Sequence, residues 1–535
     1  MVPAVKPGSA PSRRVTTLSV LLVLLALPVL FSACKAPAAG GPAPQDQTGR
    51  VSDDATAVGA RWRACRLPGL AEAAQCAFIP VFEDRARGAG RVLRIHVARL
   101  RATSRTPSPD PVLFVAGGPG QAASQVVAQV LPGLQRVRRH RDLLFVDLRG
   151  TGLSGGLNCR TQGDADLSEA FAVQVPRAVL ARCRASYDAD LRQYTTANAV
   201  DDLEQLRLQL KLGKINVVGV SYGTRVALTW MRRHPDALRS AVLDSVAPPQ
   251  MPLFVSFAKD AQRAWQLLVR DCEASAACHR RFPNVRGSLV RLLDHVPQTV
   301  HVQHPVTAAG ADIKLTRRGV AMAMRGLLYS ADLAALLPLT IDQALAGNWQ
   351  PLVAQTLILS DSAADTTSFG LTLSTVCAED APRVGALDLA AEVSGTFLGR
   401  SAVDTLTEMC AAWPLAPGGA PADAARRLKS TAAISTATQV AGAVTSDVPT
   451  LLLSGEADPV TPPRWAELAA QGLRRARHVI LPGMGHSVGR QGCAPKVVAA
   501  FIAGAERPGA AAVDVRCDRP TRRPAFFLSP SGPTP

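Results

Sequence analysis

The pattern of apolar and polar positions divides the chain into two similar stretches separated by a different one. In the first stretch, residues 76–82 (CAFIPVF) and 92–100 (VLRIHVARL) read as strands, the second alternating with period two, and Arg87-Gly88-Ala89-Gly90 is the turn between them. Continuous apolar runs follow at 112–116 and 143–147, and 199–212 (AVDDLEQLRLQLKL) has the spacing of an amphipathic helix. A further apolar run ends in Gly219-Val220-Ser221-Tyr222-Gly223 and passes straight into a helical pattern, after which 241–244 reads as another buried strand. Strands alternating with helices predict a parallel sheet covered on both faces. From about 248 to about 430 helical periodicity dominates, as in 320–329 and 332–346, and strands are hard to find. The strand pattern resumes at 450–453 and 478–481.

This rhythm predicts an α/β fold: a mostly parallel central sheet with helices on both faces and an inserted helical cap over the strand ends, where such a sheet places its site. The expected boundaries are 61–247 for the first part of the core, 248–430 for the cap, 431–518 for the second part of the core and 519–535 for a tail. Residues 416–425 (APGGAPADAA) read as a linker out of the cap.

The amino terminus changes the picture. Arg13-Arg14 followed by an apolar run over 18–31 has the charged and hydrophobic regions of a secretory signal, too short to span a bilayer comfortably. Phe31-Ser32-Ala33-Cys34 closes it like a bacterial lipobox, with Cys34 as the lipidation position, so 1–34 reads as the signal and 35–60 as a flexible tether. Phe31 stands where leucine is usual, and an ordinary secretory signal is the alternative. The expectation is an exported protein, either a periplasmic or envelope-anchored lipoprotein or a secreted one. Of 11 cysteines, ten remain beside Cys34, and an even set in an exported chain favours disulfides. Connectivity does not follow from sequence; the expectation is pairing of the sequence-near couples Cys65–Cys76, Cys159–Cys183, Cys272–Cys278, Cys377–Cys410 and Cys493–Cys517.

A net charge of +17 raises nucleic acid as a partner, but the arginines are scattered and no basic cluster is interleaved with aromatics. No nucleic-acid partner is expected, and membrane contact only through the lipid anchor. No Cys and His spacing resembles a zinc site, and His96, His279 and His295 read as surface or packing residues.

Candidate chemistry centres on Ser221. Gly-x-Ser-x-Gly should arise by chance in roughly 0.2 of chains this long, and it occurs here three times, around Ser154, Ser221 and Ser487. Only the Ser221 copy joins an apolar run to a helix, as a nucleophile elbow requires. Asp458 and His486 each fall just past a predicted strand, and the order Ser, Asp, His is that of an α/β-hydrolase triad. The loop Gly117-Gly118-Pro119-Gly120 follows the 112–116 strand and leaves backbone N–H groups open to a ligand oxygen, with the Tyr222 N–H as partner donor. Asp147 and Arg149 read as a buried ion pair or loop brace.

Taken together, GGPG, DLRGTGLS, GVSYGT, CAED, PTLLLSGEADPVTPP and GMGH resemble the prolyl iminopeptidase and tripeptidyl aminopeptidase branch of the α/β hydrolases, with a TAP-like carboxyl-terminal part, over residues 65–517. The resemblance implies Ser221 as nucleophile, Asp458 as acid, His486 as base, and Gly118 with Tyr222 as oxyanion donors. Ala116 stands where many relatives have histidine, which leaves the backbone donor in place. The branch releases residues from peptide amino termini, which implies acidic groups near the cap for the substrate ammonium; Glu379 and Asp380 are the candidates. The implied activity is that of a serine aminopeptidase with a peptide or small acyl substrate and no metal or cofactor. An esterase or lipase on the same triad is the alternative, and a non-catalytic binding lipoprotein a further one.

Overall fold

The computed structural model describes residues 61–159, 171, 175–305, 307–413, 441–505 and 521–532. The predicted signal with Cys34, the tether, the 416–425 linker and Cys517 lie outside the described residues.

The strands are β1 (Arg63–Cys65), β2 (Ala74–Phe82), β3 (Val92–Leu100), β4 (Val112–Val115), β5 (Leu143–Val146), β6 (Ile215–Val220), β7 (Leu238–Asp244), β8 (Gln298–Gln303), β9 (Gly310–Leu315), β10 (Thr450–Gly455) and β11 (Ala476–Leu481). Nine of them form one sheet in the order β1-β2-β3-β5-β4-β6-β7-β10-β11. Every pairing from β5 to β11 is parallel, and β1, β2 and β3 add an antiparallel edge. The continuous apolar runs β4, β5 and β10 are buried at every position, as strands covered on both faces must be.

Alternate residues serve opposite faces. Leu113, Val115, Val217 and Leu243 join a cluster with the helices Thr196–Gln209 and Tyr222–Arg233. Val112, Phe114, Val218 and Val242 pack instead against Val127–Arg138 and Ala494–Gly504. Chain order reverses around β4, which pairs with β5 on one side and β6 on the other. A crevice opens at the carboxyl ends of strands at such a point, and here the Gly117 loop and Ser221 leave the sheet.

The helical insertion divides in two. The helices from Phe257–Ala274 to Gln350–Thr366 surround their own apolar cluster, with Trp265, Leu268, Leu327 and Leu352 inside. By contrast, Phe369–Glu379 and Ser401–Ala412 send Leu371, Leu373 and Leu406 into the cluster on the sheet. The segment also contains strands that the helical rhythm hides: β8 and β9 form an antiparallel hairpin. Each strand is only six residues long, and its alternating side chains, Val300 and Val302 in β8 and Ile313 and Leu315 in β9, are too short a pattern to stand out in a helical stretch.

Four disulfides join Cys65–Cys76, Cys159–Cys183, Cys272–Cys278 and Cys377–Cys410. Cys493 is also disulfide-bonded. Such bonds belong to an oxidising compartment.

Candidate active site

Ser221 sits between β6 and the helix Tyr222–Arg233 with φ 55° and ψ −122°. A side chain in that region costs on the order of 1–3 kcal/mol unless its surroundings hold it. Here both sides are held: the Ser221 N–H donates to the Asp244 carbonyl (2.9 Å), and the Thr224 N–H (2.9 Å) and hydroxyl (2.5 Å) donate to the Ser221 carbonyl. The flanking glycines are steric necessities. A Cβ on Gly219 would run into the Gly223 carbonyl, and one on Gly223 into the Val115 carbonyl of β4.

β10 ends in a loop carrying Asp458, and β11 in one carrying His486. Asp458 Oδ2 lies 2.8 Å from His486 Nδ1. The carboxylate is fully buried and accepts three further bonds, from the N–H groups of Val460 and Thr461 and from the Thr461 hydroxyl. Burial works against its charge, but His486 and these donors hold its pKa below the usual carboxylate range. For His486, burial disfavours protonation; the Asp458 charge and hydrogen bond outweigh it, so the imidazole is more basic than an ordinary histidine. With Nδ1 turned to Asp458, Nε2 is the nitrogen left to exchange a proton. The loop is pinned elsewhere too. The His486 N–H donates to the Tyr329 carbonyl (2.8 Å), and the Tyr329 ring stands edge-on to the imidazole at 5.0 Å.

Ser221, His486, Gly117 and Gly118 line one cavity of about 830 Å³, whose other wall includes Arg325, Tyr329 and Asp332. Gly117 passes so close to Ser221 that a Cβ on it would lie 3.1 Å from the serine Cβ. Gly118 has φ 109°, a conformation that L side chains rarely adopt. Tyr222 is the first residue of its helix, where the N–H has no intrahelical acceptor.

The other two Gly-x-Ser-x-Gly copies are different objects. Ser154 is fully buried, its hydroxyl donating to the Asp147 carbonyl (2.7 Å) and accepting from the His96 N–H (2.8 Å). Ser487 follows His486 on the cavity wall, and its N–H donates to the Ser245 hydroxyl (2.8 Å). Asp147 and Arg149 are both braces, but not to each other. Arg149 makes a two-pronged pair with Asp202 (2.6 and 2.7 Å), while Asp147 bonds to His96 and Ser124.

The structure does not offer Glu379 and Asp380 to a substrate. Neither lines the cavity, and both are buried with their oxygens engaged. Glu379 accepts the N–H and hydroxyl of Thr196, each at 2.7 Å. Asp380 pairs with Arg225 (2.9 Å) and accepts the Leu253 N–H (3.0 Å). Glu379 ties the end of the helix Phe369–Glu379 to the start of Thr196–Gln209, and Asp380 ties it to the elbow helix. The acid on the cavity wall is Asp332, in the first turn of Ala331–Leu345, exposed and without a hydrogen bond or ion pair among the described residues. No local signal separates Asp332 from any acidic residue opening a helix. Only the fold brings it to the cavity.

Residues 110–279 match the α/β-hydrolase fold family, and residues 396–517 match the TAP-like protein family. The chain has the α/β-hydrolase fold, and its carboxyl-terminal part is similar to the TAP-like proteins. It is 26% identical to a tripeptidyl aminopeptidase of Streptomyces coelicolor over 36% of this chain and 39% of that one. It is 27% identical to the serine protease Hip1 of Mycobacterium tuberculosis over 41% and 46% of the two chains, and 31% identical to a probable proline iminopeptidase of Streptomyces coelicolor over 27% and 35%. The matched stretch thus spans about two fifths of the first relative's length.

Proposed function

We propose that this protein is an exported serine aminopeptidase. The observation that carries the reading is the opening of Ser221, held in its strained turn, and the Asp458–His486 pair into one cavity. In the proposed reaction His486 Nε2 takes the Ser221 proton as the oxygen attacks the scissile carbonyl, and Asp458 stabilises the imidazolium. The N–H groups of Gly118 and Tyr222 receive the oxyanion. The imidazolium returns its proton to the leaving amine, and water, deprotonated by the same histidine, releases the acyl group.

The aminopeptidase reading draws on the relatives' names and on Asp332. A free carboxylate on the cavity wall suits a substrate ammonium, the role that Glu379 and Asp380 are too deeply engaged to fill. Export draws on the disulfides and on the signal-like amino terminus, with Cys34 as the lipid attachment site. Two assays test the proposal. A fluorophosphonate probe labels the wild-type protein and not Ser221→Ala; labelling that persists, or moves to Ser487, overturns it. Aminoacyl and tripeptidyl anilides with free amino termini are cleaved in preference to their blocked forms and to p-nitrophenyl esters. The reverse preference makes the protein an esterase on the same residues, and failure to label makes it a binding protein.

A further inference from the structure

Arg325 is a buried charge of this cavity with no counterion among the described residues. It lies on the helix Arg317–Leu327, is only 8% exposed and belongs to the cavity wall. Of its guanidinium nitrogens, Nη2 donates to the Tyr329 hydroxyl (2.8 Å), and Nε is buried with no partner. The cation stacks at 4.0 Å over the Phe257 ring and 5.2 Å from the Tyr329 ring. No carboxylate lies within salt-bridge distance of it among the described residues. The other deeply buried arginines have one: Arg149 pairs with Asp202, and Arg225 with Asp380.

Aromatic faces and one phenol only partly replace lost hydration, and a buried cation without a counterion is a standing cost. That cost makes physical sense where a ligand supplies the missing anion. We infer that Arg325 is the receptor for a carboxylate of the substrate. A guanidinium presents parallel N–H donors that match a carboxylate, and burial strengthens the bond. The position fits a peptide. Tyr329 stands between the guanidinium, bonded to its hydroxyl, and the His486 imidazole against its ring. The anion site therefore sits about one aromatic ring beyond the reacting group, a span that roughly two extended residues at about 3.4 Å each cover. Asp332, on the same wall and free, would take an ammonium, so the cavity has a receptor for each charge of a short zwitterionic peptide. The carboxylate is either the carboxyl terminus of such a peptide or an acidic side chain near the scissile bond.

This inference rests on the serine-hydrolase reading, and the experiment separates the two. Alanine peptides of graded length are compared as free acids and as amides, and amides carrying Glu are compared with those carrying Gln. Rates are normalised to the sites titrated by fluorophosphonate. In the wild type one of these series shows kcat/KM roughly ten- to a hundredfold higher for the carboxylate-bearing member, the range of a hydrogen bond to a charged group. The first series identifies the carboxyl terminus as the source, the second a side chain. The ratio collapses toward one in Arg325→Met and survives in part in Arg325→Lys. Should Arg325→Met fail to fold, the wild type decides: the carboxylate-bearing peptides slow fluorophosphonate labelling at concentrations where their neutral partners do not. Ratios near one in both series and equal protection by both kinds of peptide overturn the carboxylate receptor, while labelling of Ser221 leaves the hydrolase standing. No labelling of the wild type sinks the hydrolase itself.

Discussion

Among the described residues, two histidines pair with a fully buried aspartate. His96 Nδ1 lies 3.0 Å from Asp147 Oδ2, and His486 Nδ1 lies 2.8 Å from Asp458 Oδ2. Even the second neighbours agree. Asp147 accepts the Ser124 N–H and hydroxyl and the Leu153 N–H, and Asp458 accepts the Val460 and Thr461 N–H groups and the Thr461 hydroxyl. What separates them is the far side of the ring. His96 is fully buried against Phe78, and its Nε2 has no partner. His486 belongs to the wall of the cavity that Ser221 shares. An oriented imidazole becomes a base only where a proton donor and a substrate can reach its second nitrogen.

The sharpest test of that contrast removes each ring. His486→Ala lowers kcat by about 10⁶-fold, the loss seen when one member of a catalytic unit is deleted; His96→Ala leaves kcat per titrated site near wild type. A large loss in kcat from His96→Ala would break the comparison. Next in size, Asp458→Asn lowers kcat about 10⁴-fold and also moves the pH profile. The base must be neutral to act, and its pKa is raised above 6.5 by Asp458. The acid limb of kcat/KM in the wild type therefore lies above pH 6.5 and shifts down when that charge is removed. An acid limb below pH 6.5 in the wild type would contradict the pairing.

The inner pair answers in stability. Asp147→Ala leaves three buried donors and one part-buried N–H short of their acceptor and costs about 3 kcal/mol in a urea melt, without the change in pH profile. The smallest effect is at the cavity wall. Asp332→Asn raises KM for free amino termini about threefold, the scale of an exposed ion pair, and leaves blocked substrates alone. An equal change in both would remove Asp332 from amine binding.

Much of this site is legible in the chain because its parts are local backbone devices. An elbow needs glycines on either side of the serine within five residues, and Asp458 and His486 follow strands whose apolar runs announce them. Glu379 and Asp380 show the limit. CAED presents two adjacent acids that could equally face solvent, and what engages them is Thr196 and Arg225, some 183 and 155 positions away in the chain. The hairpin of β8 and β9 escaped for a different reason: its side chains alternate as strands should, but over only six residues each in a stretch where helical periodicity dominates.

What the amino-acid order determined by itself is the set of structures that closes within a few residues: most strands, the turn at Ser221, and the order of Ser221, Asp458 and His486 along the chain. Tertiary structure alone decided which charges are spent and which are left over. Asp380 is neutralised by Arg225, while Asp332 and Arg325 reach the cavity with no opposite charge beside them. Backbone geometry is a property of neighbours in sequence, but the partner of a charge is whatever residue folding brings within a few ångströms of it, and nothing in a single stretch of chain records that distance.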